Sequence, residues 1–405
     1  MKSKQALAGI RVVDFSWYAV GPQTARHLGD HGAEVIRIES SVSPDGLRRA
    51  GPFKDGIDGI NRSGYFNNQN ANKYGITLNL KLPKAVEIAR KLVARADVVT
   101  ESFTPGVMER FGLGYDDLRK VKPNIIMVSM GAQGRGGPHS NHSAYGHVQQ
   151  ALCGVNHLTG WPDGYPTGFH GPYTDYFIPH LCATVVMAAL AYRRRTGKGQ
   201  YIELSQLEAG IHCLETAILD YTVNDREQGR MGNRHPQAAP HGAYRCQGED
   251  RWCTIAIFTN EEWQSFCQVL ENPEWSQDPR FATLPDRLDN ADELDRLVEE
   301  WTSNYSAERV VDMMQAVGVA AGVVQTSQDL HADPQLKHRN HYWVLDHPET
   351  GPATYDSPAY KLSKTPSQPR MPAPCLGEHN EFICCQLLGI SDEEFISLMA
   401  EGVFD

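Results

Sequence analysis

Between Ile10 and Ser129 short apolar runs alternate with helical stretches, and this alternation restricts the fold more than any other feature of the chain. Ile10–Phe15 reads as a buried strand, Ser16–Pro22 as a turn, Thr24–His31 as a helix stopped by Gly32, and Ala33–Glu39 as a second strand. Asn67–Lys81 reads as a polar turn entering a strand with alternating Ile76, Leu78 and Leu80. Pro83–Ala94 follows as a helix, then strands at Asp97–Glu101 and Asn124–Ser129. Strand–helix–strand order implies parallel pairing with helices on both faces, an α/β, Rossmann-like doubly wound sheet. Ligands of such sheets bind beyond the carboxyl ends of the strands, which points to the turn after Phe15 and to Glu39–Ser43.

The chain has 405 residues, more than one ordinary core organises, so two domains are expected. The polar, Gly- and Pro-punctuated stretch from Asp225 to Pro236 reads as a linker. The expected division is a large α/β domain over 1–225, a smaller α+β domain with its leading linker over 226–329, and a return arm over 330–405 that rejoins the large domain. No apolar run in the sequence reaches the length of ~20 residues that spans a bilayer. Met1–Leu7 lacks an apolar core of signal-peptide length. A cytoplasmic protein is the expectation.

Several classes of chemistry are disfavoured. The first strand–helix turn lacks G-x-G-x-x-G, and Gly131–Pro138, though glycine-rich, reads as a flexible loop with no helix directly after it, so a dinucleotide-dependent oxidoreductase is not expected. No Walker phosphate loop occurs. A net charge of −11 argues against a general nucleic-acid binder. The nine cysteines are scattered and read as reduced thiols. No H-E-x-x-H or C-x-x-C occurs, and no metal site is expected.

The stretch Gly171–Glu208 carries the strongest candidate for chemistry. Leu181–Tyr192 is apolar nearly all round and reads as a buried helix. Arg193–Arg195 and Gly197 close it, suiting the negative end of the helix dipole and a left-handed stop. Asp175 stands just before the apolar run. Such a carboxylate serves as a helix N-cap, or as a nucleophile at the lip of a pocket, and the two roles are compatible.

Taken together, these segments resemble the family III CoA-transferases, the group that includes formyl-CoA transferase and the carnitine CoA-transferases. The matching stretches are Leu7–Phe15, Gly32–Glu39, Asn72–Lys81, Phe103 with Pro105–Gly114, Thr196–Gln200 and Leu376–His379, in family order over nearly the whole chain. The resemblance implies that Asp175 is the catalytic nucleophile, passing through aspartyl anhydride and aspartyl-CoA thioester intermediates, with coenzyme A entering as acyl-CoA and no metal required. It also implies CoA contacts at Val20, Leu78, Asn79, Leu80, Lys81, Phe103 and Arg110, and at Tyr145 beside the reacting thioester. An interlocked dimer is implied, either a homodimer or a heteromer with a homologous subunit.

Some positions depart from formyl-CoA transferase. Ser40 replaces an arginine, Ser102 and Thr104 replace Asn and Gly, Gly146 replaces an acidic residue and Pro179 a small one. The glycine-rich lid expected after the linker is absent; Asn233–Gly242 stands there instead. The aromatic content of the first-half loops, with Asn61–Phe66 and Tyr173–Tyr176, resembles the branch acting on aromatic dicarboxylates such as benzylsuccinate, with succinyl-CoA as donor. Arg62 or His170 is the expected partner of a second substrate carboxylate. The alternatives are an acyl-CoA racemase of the same fold, against which Tyr145 stands in place of a histidine, and a non-catalytic subunit, against which Asp175 stands.

Overall fold

The structure is a computed structural model that describes residues 5–405. Residues 1–4, part of the N-terminal stretch considered above, lie outside the described residues. The described chain divides into two compact units. The larger takes residues up to Val155, Gly168–Asn224 and Leu336–Asp405; the smaller takes Asn156–Thr167 and Asp225–Gln335.

The larger unit is built on six parallel strands: β1 (Arg11–Asp14), β2 (Glu34–Glu39), β3 (Lys73–Thr77), β4 (Val98–Glu101), β5 (Ile126–Gly131) and β6 (Gln200–Ser205), in the order β3-β2-β1-β4-β5-β6. Helix α1 (Val20–Asp30) joins β1 to β2, and α2 (Pro83–Ala94) joins β3 to β4. The seven-residue α3 (Gly146–Leu152) and the long α4 (Tyr173–Thr196) lie between β5 and β6. The order reverses direction between β1 and β4, which opens a crevice at their carboxyl ends.

Helices cover the sheet with two apolar cores. On one side Val13, Ile36 and Val99 pack with Ile88 and Leu92 of α2. On the other, Val12, Val35, Ile126 and Val128 pack with Leu28 of α1 and with Ile178, Cys182 and Val186 of α4. The central strands β1, β4 and β5 are buried on both faces and carry the apolar stretches Val12–Val13, Val98–Val99 and Ile126–Val128, whereas β6 at the edge is only half-buried.

Four segments differ from the sequence expectations. Helix α1 begins at Val20 rather than Thr24, because Pro22 falls in its first turn, where proline needs no donor. The polar Gly64–Asn70 run forms a helix capped by Ser63, and β3 ends at Thr77, so Leu78 and Leu80 follow the strand. Helix α4 starts at Tyr173 and takes in Pro179, making 24 residues, long and apolar enough by length and composition to cross a membrane. Its Ile178, Cys182, Val186 and Ala189 are nevertheless buried against the sheet side of the core. Leu207, Ile211, Leu214 and Ile218 stand at helical spacing in the sequence, as a core face would, yet Ile218 is 42 % exposed.

The turn after α4 shows why its glycines are placed as they are. Gly197 adopts φ +75° at the helix end, and a Cβ at Gly199 would stand 2.0 Å from the Ile125 carbonyl oxygen. Only a bare backbone lets β6 enter the sheet beside β5 there.

The smaller unit holds an antiparallel sheet of β7 (His241–Arg245), β8 (Trp252–Ala256) and β9 (Ala320–Val323), covered by helices that include Asn260–Val269 and Ala307–Ala316. Phe266, Leu294, Val310 and Met314 fill its own core. In the larger unit β10 (Tyr342–His347) and β11 (Gly351–Asp356) form a hairpin.

Candidate active site

A cavity of about 270 Å³ opens at the carboxyl ends of β1, β4 and β5. Trp17–Val20 follow β1, Ser102–Pro105 follow β4, Met130–Ala132 close β5, and Ser140 with His142–Gly146 lead into α3; Asp175 and Gln206 complete the wall. These loops meet because their strands are neighbours in the sheet.

Two sets of buried charges hold the loops. Beneath the first, Asp14, Arg37, Glu39, Asp45, Arg48 and Lys73 are all buried. Lys73 Nζ lies 3.1 Å from Asp14 Oδ2, Arg37 Nε 3.2 Å from Glu39, and Arg48 2.8 Å from Glu39, while Arg37 also meets Asp45. Three cations against three carboxylates leave no net charge. Burial alone would raise the Asp14 and Glu39 carboxyls, but Lys73 and Arg37 hold Asp14 below its usual range, and Arg37 with Arg48 hold Glu39 at about 2. The network reaches the cavity through backbone: Arg37 donates to the Ser16 carbonyl at 2.9 Å, and Asp45 accepts from Tyr18 N at 3.1 Å. Tyr18 is thereby held at φ 62°, its ring edge-on to Tyr145 at 5.4 Å.

The second set centres on Glu101 at the end of β4. It accepts from Phe103 N at 2.8 Å, from Arg135 Nη1 at 2.7 Å and from the Ser129 hydroxyl. Burial raises the Glu101 carboxyl despite Ser129 and Arg135. Arg135 also meets Glu109 at 3.2 Å, and its backbone N–H donates to Glu203. The Gly131–Pro138 loop is therefore pinned at its centre by an arginine, which corrects its reading as flexible.

Asp175 is the third residue of α4, and Pro172 occupies the cap position without a side-chain bond, so Asp175 is not the N-cap. Pro179, four residues on, has no N–H to give the Asp175 carbonyl, so the first turn lacks that bond. The approach of α3 is equally tight. A Cβ on Gly146 would stand 2.2 Å from Pro172 Cβ and 2.8 Å from Asp175 Cγ. No side chain fits there, a physical reason for glycine at the position read above as a departure. Gln150 ties the two segments, donating to the Gly171 carbonyl at 2.7 Å and accepting from Phe169 N at 3.1 Å. Burial alone pushes the Asp175 carboxyl up to about 7; no cationic side chain offsets it. It is a carboxylate half ionised near neutrality, desolvated, and open to the cavity.

Of the residues named from sequence, Val20, Phe103, Tyr145 and Asp175 come together at this cavity. Leu78, Asn79, Leu80 and Lys81 do not line it. They follow β3, two strands away from β1, where Leu78 is core packing and Asn79 N donates to the Val403 carbonyl. Arg110, closing the short helix Val107–Arg110, does not line it either. Arg62 is corrected as a carboxylate partner: its guanidinium donates to the carbonyls of Ile57, Glu349 and Lys54 at 3.2, 3.2 and 2.9 Å. His27 in α1 and His31, which caps its C-terminal end, stand four residues apart, an H-x-x-x-H spacing that the sequence reading overlooked; among the described residues no group of three or more His, Cys, Asp or Glu is arranged to hold a metal. Sequence reasoning passed over Glu101, Ser129 and Arg135. Their only signal was an arginine set among glycines.

The model for CoA-transferase family III matches residues 7–380. The chain belongs to that family. It is 30 % identical to the succinyl-CoA–D-citramalate CoA-transferase of Chloroflexus aurantiacus over 98 % of both chains. It is 29 % identical to the human succinyl-CoA:glutarate CoA-transferase, over 100 % of this chain and 91 % of that one. A probable CoA-transferase of Mycobacterium tuberculosis, Rv1866, is 32 % identical, but the chain spans only 50 % of its length. Among solved structures, a CAIB/BAIF family protein from Brucella suis superposes with a TM-score of 0.87 at 30 % identity, covering 95 % of this chain and 100 % of that one. Rv3272 from M. tuberculosis gives 0.79 at 26 %, covering 94 % and 99 %.

Proposed function

We propose that this family III CoA-transferase moves CoA from succinyl-CoA to a short carboxylic acid, with Asp175 as the covalent carrier. The observation that supports it most is the Asp175 carboxyl itself: unpaired with any cation, raised to about 7 by burial, and set on the wall of a cavity formed where the strand order reverses. Desolvation without a counter-ion keeps a carboxylate basic, and basicity is what a nucleophile toward a thioester needs.

The steps balance without ATP or metal. An Asp175 oxygen attacks the thioester carbonyl; the C–S bond breaks, CoA thiolate leaves and a mixed anhydride forms. The thiolate attacks the aspartyl carbonyl, succinate leaves and an aspartyl-CoA thioester remains. The acceptor carboxylate attacks that thioester, releasing thiolate and forming a second anhydride. Thiolate then attacks the acceptor carbonyl, and Asp175 leaves as carboxylate. The donor follows the relatives named for succinyl-CoA. CoA would pass from the cavity across the carboxyl ends of the strands, with Val20, Phe103 and Tyr145 at the thioester end and Arg110 and Leu78–Lys81 farther along.

The cavity volume, about 270 Å³, lies just below the span of small-molecule sites, which begins at roughly 300 Å³, and favours a short aliphatic acid as acceptor. Its aromatic wall of Trp17, Tyr18, Phe103 and Tyr145 favours the second reading, an aromatic dicarboxylate such as benzylsuccinate. An interlocked dimer fits the apolar residues left on the surface of the larger unit, among them Leu219, Tyr221 and Val223, which are 58 %, 59 % and 75 % exposed.

Incubation with succinyl-CoA followed by hydroxylamine tests the assignment. The expected result is a hydroxamate on the peptide holding Asp175, absent from Asp175→Ala. An unmodified Asp175, with α-proton exchange in the thioester, would replace transfer with racemisation.

A further inference from the structure

We propose that His142, assisted by the Ser143 hydroxyl, receives the distal carboxylate of a dicarboxylate acyl group while its thioester end faces Asp175. The inference rests on the CoA-transfer reading above and assigns the same cavity a substrate class.

A carboxylate taken from water into a cavity needs donors, preferably charged ones. The structure shows where the neighbouring cations are spent. Arg37, Arg48 and Lys73 are locked in the buried network. Arg135 is committed to Glu101 and Glu109, and Arg62 to three backbone carbonyls. None of these five lines the cavity. Among the described residues that line the cavity, His142 is the one basic side chain.

Among the described residues that line the cavity, Asp175 is the one carboxylate. A second carboxylate on the acyl chain is repelled from it, so the distal end is directed toward hydrogen-bond donors elsewhere in the wall, which the His142 imidazole and Ser143 hydroxyl supply. His142 belongs to the segment that runs through Tyr145 to Gly146, the residue packed against Asp175, so the loop that carries His142 also abuts the Asp175 carboxyl. The loop is internally fixed: His142 N donates to the His139 carbonyl at 2.9 Å, and the two imidazoles lie 4.6 Å apart. Ser140 turns its hydroxyl to the Gly137 carbonyl at 3.1 Å and is not available, whereas Ser143 makes no such bond and lines the cavity.

The test compares succinyl-CoA with butyryl-CoA, equal in carbon length and lacking the distal carboxylate, in the first half-reaction trapped by hydroxylamine. In His142→Ala the ratio of succinyl to butyryl trapping rates is expected to fall about 10- to 100-fold, the worth of a hydrogen bond to a charged group. His142→Arg is expected to restore the ratio, and Arg62→Ala to leave it as in wild type. Equal losses with both thioesters, or no loss with either, would overturn the assignment and make His142 a CoA contact or a bystander. Absence of trapping with either thioester in wild type would instead refute the covalent-carrier reading, and the inference with it.

Discussion

Replacing Asp175 with asparagine separates what the residue does for stability from what it does for chemistry. Its carboxyl is raised from 3.8 to about 7 by burial. The folded state therefore binds this proton more tightly than the unfolded chain does. Between those two values stability falls as pH rises, and the loss is complete above about 7. At about 1.4 kcal/mol per pH unit, a shift of roughly three units is worth some 4 kcal/mol. The side chain borders an open cavity, and solvent screening reduces this to about 2–4 kcal/mol. The amide of the variant carries no charge at any pH. Asp175→Asn should thus match wild type near pH 4 and exceed it by about 2–4 kcal/mol at pH 8.5, read from urea unfolding at both values. Exchange of labelled succinate into succinyl-CoA should fall more than ~1,000-fold in the variant, as for loss of other covalent nucleophiles. In wild type the same exchange should climb between pH 5 and 7 as the ionised fraction grows from ~1 % to about half. A stability difference that is constant with pH, or that favours wild type at pH 8.5, would refute an uncompensated buried carboxylate. Retained exchange in the variant would refute the nucleophile.

Two further perturbations test the frame around it. Gly146→Ala puts a methyl group 2.2 Å from Pro172 and 2.8 Å from Asp175; a cost of about 1–3 kcal/mol in unfolding free energy is expected, with a lower rate of Asp175 trapping because the first turn of α4 must yield. Lys73→Met leaves Asp14 buried beside a single cation, Arg37, and should destabilise by about 3–5 kcal/mol. Adding Asp14→Asn should return part of that loss, and a double-mutant cycle with no coupling would show that the 3.1 Å contact is not an effective ion pair.

The centre of the sheet was legible because β1, β4 and β5 are buried on both faces and their apolar runs stand out from the helices between them. Local rules failed where tertiary packing used residues against their usual bias. Pro22 reads as a turn residue, yet it sits in the first turn of α1. Asn67, Gln69 and Asn70 read as polar loop, yet they are buried in a helix whose Asn70 reaches Lys73 at 2.9 Å. Asp175 stood out as a candidate from its place before the apolar run, but only the family resemblance separated a nucleophile from an N-cap, and its position in the first turn of α4 was not visible. Arg135 was invisible for a different reason. Its partner Glu101 lies 34 residues away, and no periodicity links two charges that meet only after β4 and β5 pair. Arg62 failed in the opposite sense: a charge in the right segment is consumed by nearby carbonyls.

The distribution of cations gives the site its character. Three basic side chains lie buried beneath the Trp17–Val20 turn, each meeting a carboxylate, and a fourth, Arg135, is bound by Glu101 behind Phe103. None lines the cavity beside Asp175. An arginine placed there would lower the carboxyl well below 7 and stabilise the ground-state carboxylate, which slows attack on a thioester by the same interaction. Spending the cations on the floor instead fixes the loops rigidly and leaves the Asp175 carboxyl unpaired. The cost is borne by folding, since an ionised Asp175 is desolvated without a partner. That cost is also the reason a stability measurement reports on Asp175: a variant stabilised at high pH and inactive at every pH would show both effects coming from one carboxylate.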